Sequence, residues 1–510
     1  MVSLARSPAL VQDQPASVET SGACRSGSAV TPAGWTARRS MELITLGWVF
    51  GSVWLTATTG SPTTVFLKEL GATPWQFGIV AAVPYIASLL SLPASLLIER
   101  TGERKKVFLH SLYLQRALWF AIALMPLWLV SRFGVHGMGG AMRLFLLLLF
   151  LMHAAGAVGG PAWVSWMADV VPDRLRGKYF SRRRQWGVVS AIPTALLAGW
   201  MLDRCCATCD SMTTLRWCAI LFMCAAVFGL ADIHLFQYLP GGRTQPRRGF
   251  GLVKALGGPL RDRQFVWFAA FVGTLTFAVA FMQQFITLYL LDATRVGLSS
   301  GTTQMVVLVV PMAAQFLALP VWGSAVDRMG KKPVLALAGV GLVPVAIGWC
   351  FLGPQNLWLA FVLAAAHMAL WAGVEIANFN LVLEMSGSAG ATGGGGSAYV
   401  AVNSVIVNIA GCLGGLAAGL IAQELQAWSW VPFAGAKAMS FYDVLFALSG
   451  VLRLAAVAIF LPFIHEPTAR SSVEALRFIT VAVRCTSVTI VAQPVRLILR
   501  RFDQQVRAEA

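Results

Sequence analysis

The stretch VPMAAQFLALPVWGSAVDRMGKK, from Val310 to Lys332, is an apolar run that ends abruptly in charged residues. Its apolar part is echoed earlier in the chain, where VPYIASLLSLP runs from Val83 to Pro93. Both copies continue into an acid, an arginine and a glycine. A repeat on this scale indicates that the chain consists of two structurally related halves.

The composition shows which solvent surrounds these halves. Of the 510 residues, 57% are hydrophobic and only 12% are charged, whereas soluble domains are about 25% charged. Lipid must therefore cover much of the surface. About twelve apolar stretches are long enough to cross a bilayer core, at residues 42–67, 75–98, 107–130, 142–168, 185–203, 214–238, 264–291, 302–325, 333–352, 357–383, 398–423 and 441–464.

Continuous apolar runs lack the alternation of an outer-membrane strand, so the spanning segments are predicted to be helices. The sequence thus predicts an all-α integral membrane protein with twelve transmembrane helices in two pseudo-symmetric six-helix halves, 41–240 and 264–466. Residues 241–263, rich in Gly, Pro and Arg, are predicted to be a cytoplasmic linker. Residues 1–40 are predicted to be a disordered cytoplasmic leader. Residues 467–510 are either a basic amphipathic helix on the inner membrane surface or a poorly ordered tail.

The net charge of +17 comes mainly from loops on one side of the predicted bundle. Because Lys and Arg accumulate in cytoplasmic loops, both termini are predicted to be cytoplasmic. We expect attraction to anionic lipid head groups and a location in the cytoplasmic (inner) membrane of a bacterium. Nucleic acid is not an expected partner, since the basic residues are not interleaved with stacking aromatics.

The charged end of the opening stretch carries a family resemblance. GSAVDRMGKK, from Gly323 to Lys332, resembles the loop motif of the major facilitator superfamily. The earlier copy, SLLIERTGERKK, departs from it at Ser95, where the motif has glycine, and at Glu99, where it has aspartate. PDRLRGKYFSRRR, at 172–184, resembles the basic loop after span 4 of the same superfamily. The resemblance implies the twelve-helix fold and movement of a small solute by alternating access.

The two motif glycines, Gly102 and Gly330, are expected to adopt positive φ in tight turns. The resemblance further implies a latch in which Glu99 meets the start of span 11 and Asp327 meets the start of span 5. In this latch Arg100 and Arg328 would pair with two acids at the ends of spans 4 and 10, namely Asp169 and Glu384. The alternative is that these charges only anchor loops at the lipid interface.

A solute site is expected near the middle of the bilayer, where a polar group is energetically costly and therefore indicates a function. Trp371, Glu375 and Asn378 fall on one face of predicted span 10. Glu375 is interpreted as a ligand for a cationic or polar group or as a proton carrier. The alternative is an inter-helix hydrogen bond that only stabilises the bundle, and this interpretation is favoured for Asn378.

Other polar residues lie in predicted spans 1, 4 and 7, which line the central cavity in the superfamily. His153 is either a proton gate or a packed core residue. The further cavity candidates are polar side chains of spans 1 and 7, namely Thr59, Gln283 and Gln284.

Some patterns indicate structure rather than chemistry. The glycines at 411, 415 and 419 form a small-residue seam that permits close helix approach. The cluster CCATC, Cys205 to Cys209, would allow a disulfide within itself or with Cys218 outside the cytoplasm, but it lacks the histidines and, beyond Asp210, the acids of a metal site. We expect no metal and no cofactor.

The sequence contains no phosphate-binding P-loop motif, which argues against direct ATP coupling. It also offers no nucleophile and base pair within one loop cluster, so an enzyme is not expected. The predicted function is secondary-active or facilitative transport of a small solute, with proton-coupled symport or antiport as one form. The alternative is a receptor or scaffold that uses the same fold without moving solute.

Overall fold

Twelve helices long and apolar enough to cross a membrane make up the described part of the chain, which confirms the predicted all-α membrane fold. The computed structural model describes residues 37–134, 136–206, 210–241, 258–391, 397–431, 437–466 and 469–482. The helices are numbered as spans 1 to 12: Ala37–Glu69, Pro74–Thr101, Arg104–Phe133, His136–Val170, Tyr179–Arg204, Ser211–Tyr238, Arg263–Leu291, Ser300–Met329, Lys331–Phe351, Trp358–Ser386, Ala398–Glu424 and Phe441–Phe463.

The segments outside the two halves are described only in part. Span 1 begins at Ala37, inside the stretch predicted to be a leader, and the rest of that leader lies outside the described residues. In the described portion of the predicted linker, the Asp262 carboxylate accepts from the Gln264 and Phe265 N–H groups and so caps span 7. In the predicted tail, residues 472–482 are helical, with Ala475 fully buried.

Span 1 is interrupted at Gly60, which adopts a φ of 75° between two helical segments, Ala37–Thr58 and Ser61–Glu69. A side chain could not be added there without conflict, because an ideal Cβ would lie 2.4 Å from Oε1 of Gln304. Spans 8 and 12 each contain one π-helical turn, Met305–Val309 and Ala456–Phe460. Such turns disturb the regular ladder of helical hydrogen bonds.

The two ends of the bundle are packed differently. We call the end that carries both loop motifs, residues 99–106 and 327–332, the motif end, and the opposite end the far end. One large apolar cluster at the far end contains residues of both halves, such as Phe66 and Phe77 with Phe285 and Tyr442. At the motif end the apolar core divides into two separate clusters, one in each half. The apolar cores of the two halves are therefore merged at the far end and separate at the motif end.

Candidate functional site

A cavity of about 330 Å³ lies where the two halves meet. Gln283 of span 7 and Trp371 of span 10, both predicted to lie at the solute site, line it. Tyr85 reaches the cavity from the first half, and its hydroxyl donates to Oε1 of Gln283 at 3.2 Å. The remaining lining residues come from the second half: Val279, Met282, Ile286, Val306, Val307, Pro311, Trp349, Ala364, His367 and Met368.

Glu375 lies one helical turn beyond Trp371, on the motif-end side of the cavity. Nε2 of Gln315 in span 8 donates to Oε2 of Glu375 at 3.0 Å. The guanidinium of Arg184 in span 5 donates to Oε1 of the same glutamine. Gln315 is buried while Glu375 is exposed. These three residues, which we call the Arg184 bridge, connect the first half to the second beneath the cavity.

The other predicted cavity residues lie away from this wall. Asn378 has a buried Oδ1 with no hydrogen-bond partner among the described residues. Thr59 belongs to the far end, where its hydroxyl donates to the Leu55 carbonyl and its own carbonyl accepts from Gln304. His153 and Gln284 are both half-buried, and neither lines the described cavity.

The far end is closed by hydrogen bonds that cross between the halves. Gln304, fully buried in span 8, accepts from the Ser61 N–H at 2.8 Å and donates to the Thr56 and Thr59 carbonyls. Residues of span 1 are thereby fastened to span 8 through one side chain. Because a buried amide left without partners is costly, these bonds favour the closed arrangement.

A carboxylate also crosses the far end. Asp203, near the end of span 5, accepts from the Ser300 and Gly301 N–H groups at 2.6 and 3.0 Å. An acid from one half thus faces the helix N-terminus of the other, where the free N–H groups and the helix dipole favour negative charge. Gly199 and Gly301 allow this approach, since an ideal Cβ on Gly199 would lie 2.1 Å from the Gly301 Cα.

The predicted glycine seam of span 11 is confirmed, and its partner is span 2 of the opposite half. An ideal Cβ on Gly78 would lie 2.4 Å from the Gly419 Cα and 2.8 Å from the Gly415 carbonyl oxygen. Gly411 lies against the ring of Tyr85, the same tyrosine that lines the cavity. The seam therefore brings the first half to the cavity wall.

At the motif end the charged residues pair within their own half. Gly102 and Gly330 have φ values of 68° and 99°, as predicted. Arg100 and Arg328 were expected to hold the two acids, but Arg104 pairs with Asp169 at 2.5 Å and Lys331 pairs with Glu384 at 2.8 Å. The physical reason is position: Arg104 and Lys331 open spans 3 and 9, next to the ends of spans 4 and 10.

The N-terminus of span 9 is likewise capped from its own half. Glu466 accepts from the Lys331 and Lys332 N–H groups at 3.1 and 2.7 Å, and Arg328 lies over the ring of Phe478. Glu99 and Asp327 are exposed. Residues 392–396, just before span 11, and the side chains of 173, 174 and 176–178, just before span 5, lie outside what the structure describes, so the expected contacts of these two acids stay predictions.

Two arginines in apolar spans have distinct surroundings. Arg116 pairs with Asp232 at 3.3 Å, both buried, and its guanidinium lies 3.4 Å from the centre of the Trp54 ring. Gly51 provides the space, because a Cβ there would lie 2.6 Å from Asp232 Oδ2. Asp232 is the only acid in the apolar stretch 214–238, and this was the signal that the sequence offered for the pair.

Arg453, fully buried in span 12, has no carboxylate among its described contacts. It donates to the Leu342 carbonyl at 2.9 Å and to Sδ of Met282 at 3.2 Å. The described residues contain no group of three or more His, Cys, Asp or Glu side chains placed to hold a metal ion. The CCATC cluster lies outside the residues whose side chains are described.

A model of the Major Facilitator Superfamily matches residues 43–415. Comparison with curated proteins gave no match. Among solved structures, a mutant of the nucleoside transporter NupG is 12% identical, covers 84% of this chain and 100% of its own, and has a TM-score of 0.63. A D-xylose-proton symporter is 16% identical, with 85% and 99% covered and a TM-score of 0.57.

The E. coli fucose:proton symporter FucP is 13% identical, with 85% and 100% covered and a TM-score of 0.51. At such identities these structures establish a shared fold and nothing about the solute.

Proposed function

Because the chain belongs to the major facilitator superfamily, and is therefore a membrane transport protein rather than an enzyme, we propose that it moves a small solute by alternating access. In this mechanism the two halves rock about a central site, which opens to one side of the membrane at a time. The solute would occupy the cavity lined by Tyr85, Gln283 and Trp371.

One observation carries the proposal: the apolar cores of the two halves are merged at the far end and separate at the motif end. A single apolar cluster and the Asp203 and Gln304 bonds connect them at the far end. The core divides into two clusters at the motif end. This arrangement is what one of the two states of an alternating-access transporter requires.

The motif end is proposed to face the cytoplasm of a bacterial inner membrane, with both termini on that side. The basic residues of the two loop motifs support this orientation, because short cytoplasmic loops are enriched in Lys and Arg. The structure would then represent an inward-facing state. Anionic head groups of the inner leaflet would favour the same basic loops.

The Arg184 bridge supports a role for Glu375 in coupling. The carboxylate is exposed and its described hydrogen bond comes from the neutral amide of Gln315. A proton or a polar group of the solute can therefore compete with Gln315 for it. Loss of that bond would free Gln315 and release Arg184 of the other half. Protonation of Glu375, or solute binding to it, would thereby be coupled to movement of the halves.

The test is binding and flux measured on the same protein. Thermal unfolding in detergent is followed with sugars, amino acids, nucleosides, organic acids and cationic drugs, and uptake of any stabilising compound is then measured in proteoliposomes. A ligand at 100 times its Kd adds about 2.7 kcal/mol to stability. Glu375→Gln should weaken the pH dependence of uptake, while Glu424→Gln, which changes an exposed far-end acid, should behave like wild type.

Binding without flux would favour the receptor or scaffold alternative. Flux that keeps its full pH dependence in Glu375→Gln would contradict the coupling role of this residue and leave facilitated transport in place.

A further inference from the structure

Among the described residues that line the cavity there is no acid, lysine or arginine. Its polar groups are those of Tyr85, Gln283 and His367 and the indole N–H groups of Trp349 and Trp371, and the rest of the wall is aliphatic or sulfur-containing. A charged solute would lose its water there without gaining an opposite charge, which is costly in a low-dielectric site. One cation lies behind this wall: the fully buried Arg453 donates to the Leu342 carbonyl and to Sδ of Met282, a wall residue.

Two polar atoms of this wall lack partners. Nε1 of Trp349 and Nδ1 of His367 are both buried with no hydrogen bond to any described residue, and Trp349 is only 1% exposed. Buried polar groups are nearly always paired, so an unpaired buried atom in a residue that lines a cavity calls for a ligand or a water as its partner. The indole N–H can only donate, whereas the imidazole can donate or accept according to its tautomer. A solute for this wall therefore carries at least one acceptor.

The wall also has a flat component. His367 and Trp371 follow each other by one helical turn, and their rings are parallel within 5° with centroids 6.4 Å apart. Two parallel rings favour a solute with a flat ring over one with a puckered ring, because a flat ring makes close contact across its whole face.

From these observations we propose that the cavity takes an uncharged solute with a flat ring that bears hydrogen-bonding atoms, the chemistry of a heteroaromatic base. The proposal rests on the transport function proposed above and specifies its substrate class. Trp349 supplies a donor to a ring carbonyl or ring nitrogen, His367 supplies the second hydrogen bond, and Trp371 supplies the stacking face.

The experiment compares solutes that differ by one property. Binding and proteoliposome uptake are measured for uridine and adenosine, for D-ribose, which lacks the ring, and for uridine 5′-monophosphate, which adds charge. D-Xylose and a primary amine complete the panel. We expect uridine or adenosine to bind at least about tenfold more tightly than ribose and than the monophosphate, as stacking of one base contributes on the order of 1–3 kcal/mol.

Three variants identify the groups responsible. Trp349→Phe keeps a ring but removes the N–H and should weaken binding about two- to tenfold. Trp371→Leu should weaken it on the order of tenfold, and Trp371→Phe should restore much of the loss. Trp128→Leu changes an exposed tryptophan outside the cavity and should leave binding unchanged.

The outcomes separate this inference from the proposed function. If D-xylose, ribose or the amine is transported and the two nucleosides are not, the substrate class is wrong and transport stands. If the nucleosides bind but the Trp349 and Trp371 variants match wild type, the assignment to this wall is wrong. If no member of the panel binds to the correctly folded protein, and none crosses a membrane that contains it, the substrate class is overturned and the transport proposal loses its support.

Discussion

The two ends of the bundle differ in where their polar bonds go. At the far end, Asp203 and Gln304 form bonds that cross between the halves. At the motif end, Arg104 and Lys331 pair with acids of their own half. The same kind of interaction thus joins the halves at one end and makes each half rigid at the other.

The far end contains the kind of contact that the superfamily resemblance predicts for the motif end, an acid at a helix N-terminus of the opposite half. Asp203 meets the N-terminus of span 8 in the opposite half, just as Asp327 was predicted to meet span 5. An acid at a helix N-terminus is therefore present on the closed side, while the two motif acids are exposed on the other side. We interpret this as two alternative closures, one at each end.

The largest effect is expected from filling the space at Gly199 with a side chain. In Gly199→Leu the side chain would collide with the backbone of Gly301, so the far end could not close. A cysteine introduced by Gln283→Cys, in a background without the nine native cysteines, should then react with an impermeant maleimide added from the far side. Uptake should fall at least about a hundredfold, because a state required for transport is lost.

The matched control is Gly160→Leu, whose Cβ meets nothing within 4 Å. A wild-type labelling rate in Gly199→Leu would show that closure of the far end does not depend on this contact. The contrast drawn between the two ends of the bundle would then be wrong.

The second effect is expected at Asp203. Asp203→Ala removes the acceptor of two N–H groups, and a hydrogen bond to a charged group contributes about 1.5–3 kcal/mol. Far-side labelling of the same cysteine should rise about tenfold or more. Asp203→Asn, which keeps one acceptor, should give an intermediate rate, and the exposed Asp210→Asn should give none of the increase. Equal rates in Asp203→Ala and wild type would contradict a closure at this end.

A smaller effect, of opposite sign, is expected at Asp327. Asp327→Asn removes a charge that is exposed in this conformation and is predicted to face a helix N-terminus in the other one. Such a contact contributes about 0.3–1 kcal/mol, so far-side labelling should fall about two- to fivefold. Asp327→Glu should be nearer to wild type. An increase in far-side labelling would mean that the two ends do not alternate.

The smallest effect is expected at Arg104. Arg104→Gln breaks a pair in which the Asp169 side chain is 61% exposed, and exposed pairs contribute about 0–1 kcal/mol. The melting temperature should change by about 2 °C or less, and labelling from the two sides should keep its wild-type ratio. A changed ratio would show that this pair, although contained in one half, takes part in closure.

Much of the fold follows from the sequence because its signals are local. A run of about 20 apolar residues requires a spanning helix wherever it occurs, and Gly102 and Gly330 mark turns by their backbone freedom alone. The glycine seam of span 11 could be found by spacing, although spacing did not reveal that Gly78 of span 2 is its partner. For the site, Gln283 and Trp371 were chosen as polar or aromatic groups in cavity-lining spans.

Other parts of the site could not be found this way. Trp349 and His367 resemble ordinary packed residues in the sequence, and only their unpaired buried atoms and their place in the cavity lining distinguish them. Arg184 and Gln315 were given no part in the predicted site, because their connection to Glu375 depends on how three helices from two halves approach one another.

The sequence by itself therefore determined the membrane class, the twelve spans, the two-half repeat and the family, since each depends on residues close together in the chain or on a recognisable motif. Only the tertiary structure decided which end is closed, which acid pairs with which base, and which atoms face the cavity. The physical reason is that these properties arise between helices distant in sequence, and their relative placement is the quantity that an alternating-access protein changes.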